Sequence, residues 1–286
     1  MVRVVVLHGI GQEFLGPEQM RRQAVPALLD GVGLAGHTPP AADEVGCAFY
    51  GDLYFEPGTR SDEVPPWDEF DVEEGLEADL LDAWWQAADP AWGAEAGTRG
   101  AAGFVASRAL RSERVRAALD ALAGTRFFGK VSDRLLILAL KQVRRYLTEP
   151  SLRAAAQERL ASLIGPDTRV VVAHSLGSVV AYETLCARPD LPVTDLVTLG
   201  SPLGLRGIVF DRLTPTPAQG KAAWPGSVRH WTNLADHGDI VALPDRLAPR
   251  FGAVRDLRVD NGTRMHDLAR YLSAPKTGAA IARGLR

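Results

Sequence analysis

Val170-Val171-Val172-Ala173-His174-Ser175-Leu176-Gly177-Ser178-Val179-Val180-Ala181-Tyr182-Glu183 passes from a β-branched run to a helical pattern with almost nothing between. Unalternated valines suit a strand buried on both faces of a parallel sheet. A strand that turns at once into a helix crowds its own backbone, so small residues are needed two positions either side of the turn, here Ala173 and Gly177. Such a turn is expected to expose the hydroxyl of Ser175. A small residue, a serine and a glycine at this spacing are common by chance, and it is the placement between strand and helix that gives them weight. The plainer role for Ser175 is a helix N-cap. Ser178, one turn into the helix, reads as a small packing residue.

Outward from this turn, similar runs recur at Val2–Leu7, Val45–Tyr50, Thr194–Leu199, Val228–Leu234 and Leu257–Asp260, with a fourth-from-last member at Arg169–Ala173. Helical patterns at Glu18–Leu29 and Leu152–Leu163 lie between them. Strands alternating with helices predict an α/β fold, a mostly parallel, doubly wound sheet of about six strands. About a hundred residues separate the second strand from the third, too many for a structureless loop. The expected organisation is therefore a core of residues 1–56 and 150–286 and a helical insertion or cap over 57–149. Its helical patterns run over Val72–Ala88, Phe104–Ala123 and Val131–Leu147.

Charge is divided within the insertion. Residues 61–96 hold twelve acidic side chains and no Lys or Arg, whereas 99–145 hold eleven basic and three acidic ones. Mutual attraction across helix faces, or simple solvation, is the plain expectation. A basic face meeting an anionic surface is the functional alternative, and the helix ending in Lys141, Arg144 and Arg145 could lie against a membrane. Trp67, Phe70, Trp84, Trp85, Trp92, Phe104, Phe127 and Phe128 would ordinarily be core, or would line an apolar acyl pocket if they face Ser175.

Composition narrows the classes. The 286 residues are 46% hydrophobic and 23% charged, which is ordinary for a folded domain. A formal net charge of -3 offers no field for nucleic acid. Cys47 and Cys186 stand apart from any second Cys or His at a metal-ligand spacing and are expected to be buried thiols; no metal or cofactor is expected. No run approaches the ~18 apolar residues of a membrane span, and the first apolar run is too short for a signal peptide, so a cytoplasmic location is expected.

A serine hydroxyl is a poor nucleophile until a positioned base takes its proton. Of six histidines, His8, His37, His174 and His230 sit in a turn, before a strand, beside Ser175 and within a strand. His266 follows the last strand through a turn-rich linker and opens a short helix through Leu272, at the carboxyl edge of the sheet where ligands collect. It is preferred as base over His237. Carboxylates that could orient it leave the strand Val228–Leu234 as Asp236 and Asp239, and Asp239 is preferred, Asp236 being the second choice. Two acids and a glycine lack the ligand count of a Ca²⁺ site. The turn His8-Gly9-Ile10-Gly11 after the first strand can aim the Ile10 N–H at a developing oxyanion, and the Leu176 N–H at the start of the next helix can supply a second donor.

Taken together, His8-Gly9-Ile10-Gly11, Ala173-His174-Ser175-Leu176-Gly177, Leu199-Gly200-Ser201-Pro202, Asp239-Ile240-Val241 and His266 resemble the α/β-hydrolase superfamily, in its lipase-like and esterase-like branches. Ala173 stands where the family more often has glycine, and the two strands that precede His8-Gly9 in the full-size fold are absent. The resemblance implies hydrolysis of an ester or related acyl bond through an acyl-serine intermediate with a Ser-His-Asp triad, and an aromatic-lined pocket would suit a hydrophobic or lipid ester. The same residues could instead serve a peptide, a thioester or acyl transfer, and a catalytically inactive protein-binding module is a further alternative.

Overall fold

Six strands form one open sheet, paired in parallel throughout in the order β2-β1-β3-β4-β5-β6: β1 Val4–Leu7, β2 Val45–Ala48, β3 Val170–His174, β4 Asp195–Leu199, β5 His230–Asp236 and β6 Arg255–Val259. The computed structural model describes residues 1–55, 65–88, 108–123, 125 and 132–286. Nine α-helices lie among the described residues: α1 Pro17–Leu34, α2 Leu76–Ala88, α3 Arg108–Ala123, α4 Asp133–Thr148, α5 Pro150–Ala161, α6 Leu176–Ala187, α7 Ala248–Phe251, α8 Leu268–Ser273 and α9 Pro275–Gly284. The fold is α/β, and no strand runs antiparallel within the sheet.

The central strands are buried on both faces, which is why their sequences lack alternation. Val4, Val6, Val170, Val172, Val197, Leu199 and Leu234 form one cluster with α1, α8 and α9. Val5, Leu7, Val171, Ala173 and Leu196 are fully buried as well, and α6 packs against β1 and β3. Fully burying a valine or leucine is worth roughly 1.5–3 kcal/mol, so a doubly covered sheet dominates the stability. At the starts of β5 and β6 the departure from the sequence pattern has a local cause. Val228 is held in a turn by its N–H to Pro225 O, so β5 starts at His230. Arg255 and Asp256 pair with Thr232 and Asn233 despite their charge, as an edge strand permits. Asp256 there accepts from Leu247 N, Ala248 N and Asn233 Nδ2.

The chain divides into two compact units, Met1–Arg60 with Tyr146–Arg286, and Ser61–Arg145. The second unit holds a 3-10 turn at Glu69–Asp71, α2, α3 and most of α4. Its first helix starts four residues later than the Val72 pattern suggested, at Leu76, and the first residues of the Phe104 pattern lie outside the described residues. Within it, the acidic and basic segments meet in ion pairs. Arg114 reaches Asp82 at 2.6 Å and Arg116 reaches Glu69 at 2.6 Å. The fully buried Glu77 carboxylate takes Arg144 at 2.7 Å and Lys141 at 3.5 Å. Lys141 Nζ also donates to Asp71 O and stands 5.4 Å from the Trp67 ring. Lys141 and Arg144 are thus engaged within their own unit. Trp84 and Trp85 are buried and Phe70 is exposed. Trp92, Phe104, Phe127 and Phe128 lie outside the described residues. No helix among the described residues is long and apolar enough to cross a membrane.

In the first unit, helix α6 carries a buried charge on its far turn. Glu183, 1% exposed, pairs with Arg153 and accepts from Tyr146 Oη at 2.7 Å, Gln157 Nε2 at 3.1 Å and Thr214 N at 2.9 Å. Every lone pair of the carboxylate is used, which is what makes the burial tolerable. Glu183→Ala is expected to cost about 3–5 kcal/mol in urea denaturation, because it strands a buried guanidinium and three further donors. Breaking the exposed Arg188–Asp190 pair by Asp190→Ala should leave the midpoint unchanged.

Candidate active site

The sheet order places β1 and β3 side by side although β1 leads in sequence to β2 on the other flank. In an open parallel sheet this reversal opens a crevice at the carboxyl ends of the two strands. His8 follows β1 and Ser175 follows β3, so the two quoted turns meet there.

Ser175 has φ 53° and ψ −131°, a backbone conformation costly for a residue with a Cβ. Its N–H donates to Leu199 O at 2.9 Å, while its carbonyl accepts from Ser178 N at 2.9 Å and Ser178 Oγ at 2.6 Å. Ser178 Oγ is also 2.7 Å from Ser201 Oγ, giving Ser178 a bonding role beyond its small size. The Ser175 side chain makes no cap to the helix it precedes. The glycines explain the crowding. A methyl at Gly9 would stand 2.5 Å from Ser175 Cβ, and one at Gly177 would stand 2.2 Å from His8 O. Ser175 is 1% exposed, so the turn presents the hydroxyl inside a closed crevice and not at an open surface as expected. Gly9 is likewise buried, while Ile10 is half-buried and Gly11 exposed with φ +74°.

Asp239 and His266 are in contact. His266 Nδ1 and Asp239 Oδ2 are 2.7 Å apart. Asp239, 3% exposed, also accepts from Tyr271 Oη at 2.7 Å, Val241 N at 3.0 Å and Ala242 N at 3.4 Å. Beneath the pair lies Gly200, with φ +54°, where a methyl would meet Asp239 Oδ2 at 2.7 Å and His266 Nδ1 at 3.0 Å. Asp236 is spent elsewhere: its carboxylate accepts from Gly238 N at 2.8 Å and from Asn261 N, and Asn261 Nδ2 donates to Met265 O at 3.0 Å. That acid therefore ties the end of β5 to the loop carrying His266. His237 is largely exposed, 3.5 Å from Asp236.

Two more imidazoles line this edge. The His174 ring centroid is 4.5 Å from that of His266 and 5.8 Å from Tyr271, and its ring is within hydrogen-bonding reach of the His266 backbone. Burial, reinforced by the neighbouring His266, holds its pKa well below the usual histidine value. His8 stacks on Tyr50 at 4.2 Å, its Nδ1 is 2.6 Å from Gly9 O, and its Nε2 accepts from Tyr50 N at 3.0 Å. Those bonds require the neutral Nδ1–H tautomer, and burial pushes the His8 pKa down to about 4. Tyr50 Oη donates to His8 O at 3.0 Å, bracing the turn from below.

In the sequence Gly200 is marked only as a glycine directly after a strand, and nothing local marks Tyr50 or Tyr271. The cysteines are half-buried and unpaired, less covered than expected, and burial pushes the thiols of Cys47 and Cys186 up to about 11. No cluster of three or more His, Cys, Asp or Glu among the described residues could hold a metal ion.

No family model, curated protein or solved structure matches the chain.

The two buried imidazoles set a pH dependence of stability. Their folded pKa values are depressed, so the unfolded chain binds the protons first, and stability is complete above the ordinary histidine value of about 6.5. It is lost as pH falls from there toward 4, by about 1.4 kcal/mol per pH unit for each ring. Urea unfolding at pH 7.5, 6 and 5 is expected to show this decline. A constant free energy across that range would contradict the buried, neutral assignment.

Proposed function

We propose that the chain is a serine hydrolase of the α/β-hydrolase type that cleaves a carboxylic ester through an acyl-serine. The observation that carries this reading is the buried 2.7 Å contact between His266 Nδ1 and Asp239 Oδ2, at the same sheet edge as a serine held at positive φ. In the reaction, Ser175 Oγ attacks the ester carbonyl while His266 Nε2 takes its proton. The tetrahedral oxyanion forms against the N–H groups of Ile10 and Leu176, the latter at the first turn of α6 where amides lack intrahelical acceptors. Collapse releases the alcohol, protonated by His266, and leaves the acyl-serine. Water, deprotonated by the same imidazole, hydrolyses it and regenerates the hydroxyl. Asp239 fixes the tautomer with the proton on Nδ1 and stabilises the imidazolium. Four donors on its carboxylate support its being ionised in this role.

The location of the enzyme is proposed to be the cytoplasm, and its substrate class a simple or hydrophobic ester. Acyl preference follows from a series of p-nitrophenyl esters of increasing chain length. Ser175→Ala is expected to abolish turnover, by about 10⁶-fold where the wild-type rate allows. A fluorophosphonate should add one mass increment to wild type and none to Ser175→Ala. Asp239→Asn should lower kcat by about 10⁴-fold, because the amide favours the wrong imidazole tautomer. Asp236→Asn should lower stability with a far smaller effect on kcat. Absence of both ester turnover and fluorophosphonate adduct in folded wild type would sink the reading.

A further inference from the structure

We propose that Tyr271 is a positioning residue that sets how strongly Asp239 holds the His266 ring, an inference that rests on the hydrolase reading. Tyr271 stands on α8, five residues past His266, and is fully buried. Its Oη is 2.7 Å from Asp239 Oδ2 and 2.8 Å from the backbone N of Asp236. An amide N–H can only donate, so the hydroxyl accepts there and its single proton must go to Asp239. With Asp239 as a carboxylate, which can only accept, the direction of that bond is fixed. Burial and the adjacent Asp239 charge both raise the phenol pKa, which keeps the proton on the oxygen.

Oδ2 of Asp239 is consequently shared by two donors at the same 2.7 Å distance, Tyr271 Oη and His266 Nδ1. Each draws on the same carboxylate charge, so a stronger bond from one weakens the other. Tyr271 is held in place independently of both: its N–H bonds to Asp267 O, its carbonyl accepts from Thr277 Oγ at 2.7 Å, and the carbonyl of the next residue, Leu272, is where a methyl on Gly31 of α1 would collide at 2.1 Å. The other titratable groups around this pair are His174 on β3, 4.5 Å from the His266 ring, and His8 beyond it on the β1 turn. The Asp236 carboxylate is turned toward Gly238 and Asn261.

Removing the phenol hydroxyl leaves more charge for the His266 bond and stabilises the imidazolium, so the free base appears at higher pH. The experiment follows the rate of Ser175 phosphonylation by a fluorophosphonate between pH 5 and 9, which needs no knowledge of the substrate. In Tyr271→Phe the midpoint of the pH–rate profile is expected to rise by roughly half to one pH unit. Site-specific 3-fluorotyrosine at position 271, a stronger donor of the same size, should move it down, and it serves where the phenylalanine variant does not fold. The downfield imidazole proton of His266 should move further downfield in Tyr271→Phe and back in the fluorinated protein. A midpoint unchanged in both variants, with or without a loss of rate, overturns the role of Tyr271 while leaving the hydrolase reading intact. Wild type that takes no label overturns both.

Discussion

The conformation of Ser175 is the constraint from which the rest of this sheet edge follows. A non-glycine residue held in so sparsely populated a region costs about 1–3 kcal/mol, and it persists only where its surroundings leave no alternative. Here they leave none: β4 takes its N–H, α6 takes its carbonyl through both backbone and side chain of Ser178, and the β1 turn abuts its Cβ. Relaxing φ to a negative value would break bonds on two sides. The strain is supported by a doubly buried sheet and by the satisfied Glu183 carboxylate at the other end of the same helix.

Each contact at this edge depends on a missing side chain. Gly177 lets α6 reach the carbonyl of His8, Gly9 lets the β1 turn reach Ser175, and Gly200 leaves room beneath the Asp239–His266 pair. These three positions belong to three strand ends, β1, β3 and β4, adjacent in the sheet. Parallel pairing brings their carboxyl ends to one rim, and the absent Cβ atoms allow that rim to close to hydrogen-bonding distances. A substitution at any of them would act on geometry some residues away from itself.

What was legible in the sequence follows from the range of the interaction responsible. Valine runs report burial on both faces, a local property, so all six strands could be read to within about three residues, and the fold class with them. The β3 turn was legible because its steric demand falls on Ala173 and Gly177, two positions away. The expectation that the hydroxyl would be exposed failed for the opposite reason: what surrounds Ser175 comes from segments remote in sequence. The choice between Asp236 and Asp239 could not be made securely from spacing, since both leave β5 together. It depends on where Asn261 and Tyr271 sit, and no periodicity carries that information.

Burial also divides the labour among histidines that the sequence presents as equals. His8 and His174 lie in the crevice, yet desolvation makes a positive charge on either expensive, and both His8 nitrogens are occupied by Gly9 O and Tyr50 N. His230 and His237 face solvent beside Asp195 and Asp236. The His266 ring differs in standing at hydrogen-bonding distance from its buried carboxylate while its side chain is still 19% exposed. In the proposed hydrolase that fixed counter-charge would make the imidazolium tolerable. The neutral rings beside it fill the crevice with polar volume that adds no positive charge next to His266.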